Sequence, residues 1–143
     1  ACDLRLAADT AVFRWPELAL GILPRMGGTQ RLPRLIGYGR AMEILLTNEK
    51  VDAQRALQDG LVQRVAPQEC LMDEAMQLAH RICGLAPLAV ESVKRCIRFG
   101  VEMDLEDGLE LENRLGMALY ETEDYAEGRT ALLEKRTPVF QGK

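Results

Sequence analysis

From Cys2 to Ala8 polar and apolar positions alternate, with Cys2, Leu4, Leu6 and Ala8 set against Asp3, Arg5 and Ala7. That two-residue period predicts a strand. Ala11 to Phe13 continues as a second extended piece, and Pro16 ends it. Gly21, Pro24, Gly27 and Gly28 mark a loop, after which Thr29–Ile36 and about Arg40–Leu46 read as helices. Asp52 reads as an N-cap, AQRALQD as a short helix and Gly60 as its terminator. Leu61–Ala66 is a third strand, closed by Pro67.

Beyond residue 66 the period changes. Leu71, Ala75, Leu78, Ala79 and Ile82 fall on one helical face. Pro87 opens the next helix, with Ala89, Val90, Val93 and Ile97 as its stripe. Asp104 caps a third, with Leu105, Leu109, Leu115 and Leu119 expected to be buried, and Thr122 caps a fourth. The expected organisation is mixed α/β over residues 1–66 and all-helical over residues 67–143. About three strands are fewer than the roughly 4–6 of an ordinary sheet, so the pattern predicts a missing N-terminal half. Gly108, Gly116 and Ala118 interrupt apolar faces and predict close contact with another helix.

Composition narrows the class. A chain of 143 residues, 48% of them hydrophobic, is globular in kind. Its net charge of −4 argues against a nucleic-acid binder. No apolar run approaches the roughly 20 residues of a membrane span, and the first residues lack a signal-peptide core. The four cysteines, Cys2, Cys70, Cys83 and Cys96, form no CxxC pair. Cys83 and Cys96 sit among apolar neighbours, where a reduced thiol acts as a small hydrophobe. A single histidine, His80, argues against a zinc site, and the expected compartment is reducing and intracellular.

The candidate for chemistry is Glu17, flanked by Trp15, Pro16, Leu18 and Leu20. A carboxyl group in such surroundings has its pKa raised toward neutrality, which suits proton transfer at working pH. The following GILPRMGGTQ supplies backbone N–H groups at a helix start, a place to hold a water or an oxygen anion. The residues alone leave the other reading open: Glu17 as an exposed strand-end residue and the glycines as simple turn formers. His80 reads as a structural residue, and Arg31 and Arg34 as solvated or packing side chains.

Several phrases carry a resemblance. They are ACDLRLAAD; F-x-x-PE followed by LGILP and GGTQRLPRLIG; VDAQRALQDGLVQRV; APLAV with VKRCI; and LEKRTPVFQGK. In that order they resemble the C-terminal half of the crotonase (enoyl-CoA hydratase/isomerase) superfamily. The resemblance implies an α/β, crotonase-like (ClpP/crotonase) fold. Residues 1–66 would be the C-terminal part of the core, and residues 67–143 a helical region that builds a homotrimer or a dimer of trimers. It implies an acyl-CoA thioester as substrate, with coenzyme A part of the substrate and no separate cofactor, metal, nucleic acid or membrane. It places the protein in the cytoplasm, or in the mitochondrial matrix of a eukaryote.

By resemblance Glu17 is the second catalytic glutamate, which shuttles a proton at the substrate's α-carbon. Gly21, Pro24 and Arg25 would line the substrate pocket. Lys135, Phe140 and Lys143 would touch coenzyme A, unless the terminus is a frayed, solvated one. A second glutamate and the oxyanion amides belong, in the family, to sequence before the ACD motif, so the chain alone is expected to be an inactive fragment. Two departures stand out: Arg25 replaces the usual glycine after the loop proline, and FRWPE replaces F-G-Q-P-E. Alternatives to a hydratase are an enoyl-CoA isomerase and a non-catalytic acyl-CoA-binding or assembly relative.

Overall fold

The computed structural model describes residues 2–143. It divides into two compact units, one ending at Met76 and one spanning Gln77–Lys143. The division therefore falls inside a helix, ten residues beyond the change of period at residue 66.

The first unit begins with β1 (Leu6–Ala8) and β2 (Val12–Phe13), followed by a 3-10 helix at Pro16–Leu20. Next come α1 (Gly28–Ile36), α2 (Tyr38–Thr47), β3 (Val51–Asp52), α3 (Ala53–Gln58) and β4 (Arg64–Ala66). β1 pairs in parallel with β4, Leu6 opposite Arg64 and Ala8 opposite Ala66. β2 pairs antiparallel with β3, a strand too short to show a period of its own. The first strand is shorter than its alternation predicts, because the chain bends at Asp3–Leu4. Arg5 instead ties that end down: its Nε donates to the Leu61 carbonyl at 2.6 Å and its N–H to Gln63 Oε1 at 2.9 Å.

Asp52 and Gly60 act as their residue types dictate, whereas Asp104, ahead of the helix Leu105–Leu119, makes no side-chain cap bond. Asp52 accepts the Arg55 N–H at 2.8 Å, and Gly60 closes α3 with φ at +79°. The core gathers Leu32 and Ile36 of α1, Ala41, Ile44 and Leu45 of α2, and Val51, Ala56, Leu61 and Val62, with Phe13 and Trp15 packed against it. Along its edge Asp59, 7% exposed, accepts from Arg55 Nε at 2.6 Å and pairs with Arg40 at 3.0 Å. Asp59 first, and then Glu43, hold the Arg55 guanidinium above its ordinary pKa.

Helix α4 (Leu71–Cys83) leads out of the first unit, and the second contains α5 (Pro87–Gly100), α6 (Leu105–Leu119) and α7 (Glu123–Glu134). Gly108 of α6 lies against Gly100: a Cβ there would sit 3.7 Å from the Gly100 Cα, the close helix approach its size predicts. Gly116 meets nothing within 4 Å. The expected burial of the α6 leucines is not what the structure shows. Leu105 is 76% and Leu109 53% exposed, and Leu111 is the buried one. α4 and α5 bury no residue in this chain, and Cys83 is exposed where an apolar site was expected, while Cys96 is half-buried. An amphipathic period marks the face that wants cover without saying what covers it.

The C-terminal segment folds back along α7. Arg136 grips Glu127 through Nη1 at 2.6 Å and Nη2 at 2.8 Å, and the Val139 N–H donates to the same carboxylate at 2.8 Å. The frayed-terminus alternative is thus replaced by a held segment, because the carboxylate of Glu127 takes up donors that would otherwise face water. Arg136, then the Val139 amide, lower the Glu127 pKa from 4.5 to about 2. Glu127 and Glu134 in turn raise that of Arg136. A depressed carboxylate pKa contributes stability that is complete above 4.5 and is lost as pH falls toward about 2. The amide of Val139 is therefore expected to lose its protection from hydrogen exchange over that acid window, and Glu127→Gln to abolish the pH dependence. Protection that stays constant from pH 5 to pH 2 would remove the clasp from the stability balance.

Candidate functional site

Glu17 lies in the 3-10 helix Pro16–Leu20 and not at the end of a strand. The proline explains this: it cannot donate to a ladder, and its fixed φ suits the first position of a helix. The turn closes at once, since Gly21 adopts φ +72° and donates to the Leu18 carbonyl at 3.1 Å, while Ile22 donates to the Glu17 carbonyl at 3.1 Å. The Glu17 carbonyl is therefore satisfied, and one of its carboxyl oxygens is not. Glu17 Oε2 is out of solvent and accepts no hydrogen bond. Burying an oxygen of this kind without a donor costs about 1–3 kcal/mol.

The loop that follows presents apolar side chains to solvent: Leu20 at 72% exposure, Ile22 at 59%, Leu23 at 58% and Met26 at 95%. Met26 also holds φ at +58°, a left-handed conformation that costs a side-chain-bearing residue roughly 1–2 kcal/mol. A strained, exposed apolar loop beside an unsatisfied carboxylate is an arrangement that meets an apolar ligand carrying a proton-transfer centre.

The glycine pair sets the shape of that loop. Gly27 has φ +98°, and Gly28 starts α1 so close to Pro24 that a Cβ would lie 2.7 Å from the Pro24 Cβ and 3.8 Å from Trp15 Cδ1. The sequence placed Pro24 in the substrate pocket, yet it is buried under the loop. It lies against Gly28. Gly21 and Arg25 are exposed. No hydrogen bond or ion pair joins Arg25 to Glu17 among the described residues. Trp15, one of the bulky departures, packs on the core, and Arg14 Nε donates to Asn48 Oδ1 at 3.2 Å.

The other expected site residues belong to the second unit. Lys135 ends α7 in a left-handed conformation, φ +55°, and is exposed. Phe140 is half-buried, its Cε1 3.5 Å from where a Gly128 Cβ would stand. Lys143 is exposed, and its carbonyl accepts the Asp124 N–H at 3.1 Å. Asp124 itself, 3% exposed, escaped the sequence reading. Its signal was an acid just inside a Thr-capped helix, a pattern ordinarily explained by the helix dipole alone. His80 is exposed, and Arg34 donates to its own helix at the Gln30 carbonyl, 2.9 Å away. Among the described residues no cluster of three His, Cys, Asp or Glu side chains could hold a metal ion, and no helix is long and apolar enough to cross a membrane.

Comparison with known proteins supplies a frame. The family model described as enoyl-CoA hydratase/isomerase matches residues 1–143. A probable enoyl-CoA hydratase of Mycobacterium bovis is 44% identical over 139 residues, 97% of this chain and 54% of that protein. The 2,3-dehydroadipyl-CoA hydratase of Escherichia coli is 42% identical over 142 residues, 99% of this chain and 56% of its own length. The crystal structure of an enoyl-CoA hydratase from Bacillus anthracis superposes with a TM-score of 0.96 at 42% identity, covering 99% of this chain and 55% of that one. The chain thus spans about half the length of the curated relatives it matches.

The Gly28 contact is directly testable, because Trp15 is the single tryptophan. Gly28→Ala is expected to displace Pro24, shift the Trp15 emission to longer wavelength and destabilise the chain by about 1–3 kcal/mol in urea unfolding. Gly39→Ala, where a Cβ meets nothing within 4 Å, should leave the emission unchanged. Equal behaviour of the two variants would show that the loop yields without cost.

Proposed function

The chain belongs to the enoyl-CoA hydratase/isomerase family, and from that premise we propose that its protein adds water across the double bond of a 2-enoyl-CoA thioester. The observation that carries the reading is the solvent-excluded, unpartnered Glu17 Oε2 beside an exposed apolar loop. In hydration the water oxygen bonds to the β-carbon and a proton goes to the α-carbon. Glu17 carries that α-carbon proton: a carboxyl oxygen with no competing donor is free to hold the proton and release it. Negative charge developing on the thioester oxygen calls for two fixed N–H donors, which the family resemblance assigns to sequence before the ACD motif.

On the same resemblance the chain is read as the C-terminal half of the enzyme. It acts on a substrate that brings its own coenzyme A, with no separate cofactor. Leu20, Ile22 and Leu23 would face the acyl chain, Gly21 and Arg25 the rim of its pocket, and Lys135, Phe140 and Lys143 the coenzyme A moiety. The unburied stripes of α4 and α5, with Leu105, Leu109, Leu132 and Leu133 exposed, support assembly into a homotrimer or a dimer of trimers. The cytoplasm, or the mitochondrial matrix of a eukaryote, is the compartment this reading favours. A second reading, an enoyl-CoA isomerase, is favoured by one feature: the loop offers a single carboxylate, and moving a double bond needs no activated water.

Glu17→Gln in the protein that turns over crotonyl-CoA is expected to lower kcat by about 10²–10⁴-fold with little change in KM. A loss smaller than about tenfold would take Glu17 out of the mechanism, and turnover of a 3-enoyl-CoA in place of crotonyl-CoA would decide for the isomerase. The 143-residue chain alone is expected to show no hydration of crotonyl-CoA. Turnover by it would overturn the assignment of the oxyanion amides to other sequence.

A further inference from the structure

The segment that returns along α7 ends on a second carboxylate. Asp124 Oδ1 accepts the Gln141 N–H at 2.7 Å and Oδ2 accepts the Gly142 N–H at 2.8 Å. The Asp124 N–H donates in turn to the Lys143 carbonyl at 3.1 Å. Helix α7 is already capped without it, since Thr122 Oγ1 accepts the Tyr125 N–H at 3.1 Å. At 3% exposure Asp124 has given up water entirely, and both of its side-chain oxygens are spent on the last residues of the chain. Helix capping therefore does not account for it; the segment does.

The consequence is directional. With Gln141, Gly142 and Lys143 pinned, Phe140 is laid against Gly128, and Gly142, at φ +75°, fits against Pro87, whose Cβ would lie 3.6 Å from an added Cβ. Phe140 and Asp124 line one open groove of about 550 Å³ with Leu88, Leu119, Tyr125 and Leu132. Glu127 holds the root of the segment through Val139, and Asp124 holds its end.

We infer that Asp124 is a positioning residue: it sets the pose of residues 140–143 and, through Phe140 and Lys143, the affinity for the coenzyme A moiety. The inference rests on the proposed role of those two side chains. Only a carboxylate serves, because it offers two acceptor oxygens to two amides. Asparagine, of the same size, would turn an NH₂ toward one of them.

Hydrogen exchange in the unmodified chain comes first. The amides of Gln141 and Gly142 are expected to exchange at least ~10-fold more slowly than that of Thr137, whose N–H donates no hydrogen bond among the described residues. Equal exchange overturns the inference without any variant being made. Asp124→Asn is then expected to abolish that protection and, in the protein that turns over crotonyl-CoA, to raise KM about 10-fold while leaving kcat within about two-fold. Retained protection in the variant overturns the inference whatever happens to KM. Lost protection with unchanged KM upholds Asp124 as the clasp and overturns its link to affinity, and with it the reading that Phe140 and Lys143 touch the thioester.

Discussion

The first unit depends on a pairing between residues far apart in sequence. β1 and β4 meet in parallel, Leu6 to Arg64, and everything between them is a closed excursion. Parallel strands cannot be joined by a tight turn, so the chain between them must fold back on the ladder. The ladder is lengthened at both ends by backbone bonds, Gln63 to the Arg5 carbonyl at 2.9 Å and Asp9 to the Ala66 carbonyl at 2.8 Å. Closing a loop of this length carries an entropy cost that grows only slowly with its size. The burial of Leu32, Ile36, Ile44 and Val51 inside the excursion outweighs it.

That closure is what gives the glutamate loop its rigidity. Trp15 and Phe13 are anchored on the core, α1 is anchored by Leu32 and Ile36, and the loop from Glu17 to Gly27 is suspended between these fixed points. It can therefore sustain what a free loop would relax: a left-handed methionine, exposed leucines and a carboxyl oxygen with no donor. Strain and unsatisfied polarity persist only where the surroundings over-determine them. In this loop the two occur together, at Met26 and at Glu17 Oε2.

Local signals in the sequence were read where the physics is local. Asp52, Gly60, Pro87 and Thr122 act at the helix ends where their side chains or missing side chains place them, because a cap is decided by the backbone a few residues away. Glu17 was legible as an acid in apolar company, but the 3-10 turn was not, since its apolar neighbours look the same on a strand and on a tight helix. The exposure of Leu105, Leu109 and Cys83 was illegible for a different reason. Hydrophobic period specifies which face is apolar, while its burial depends on atoms outside the helix. The return of the C-terminal segment was likewise hidden, because it is held by donors from residues with no pattern of their own, Val139, Gln141 and Gly142.

Three carboxylates show how far environment, and not residue type, assigns a role. Glu127 is tied to a guanidinium and an amide and sits near 2, deep in its charged form at any ordinary pH. Asp124 is withdrawn from water with one amide on each oxygen, so both oxygens are taken up in holding a backbone segment. Glu17 keeps an oxygen out of solvent with nothing to bond to. Of the three, Glu17 alone leaves a carboxyl oxygen without a donor, and it is the one set beside the exposed apolar side chains of its loop.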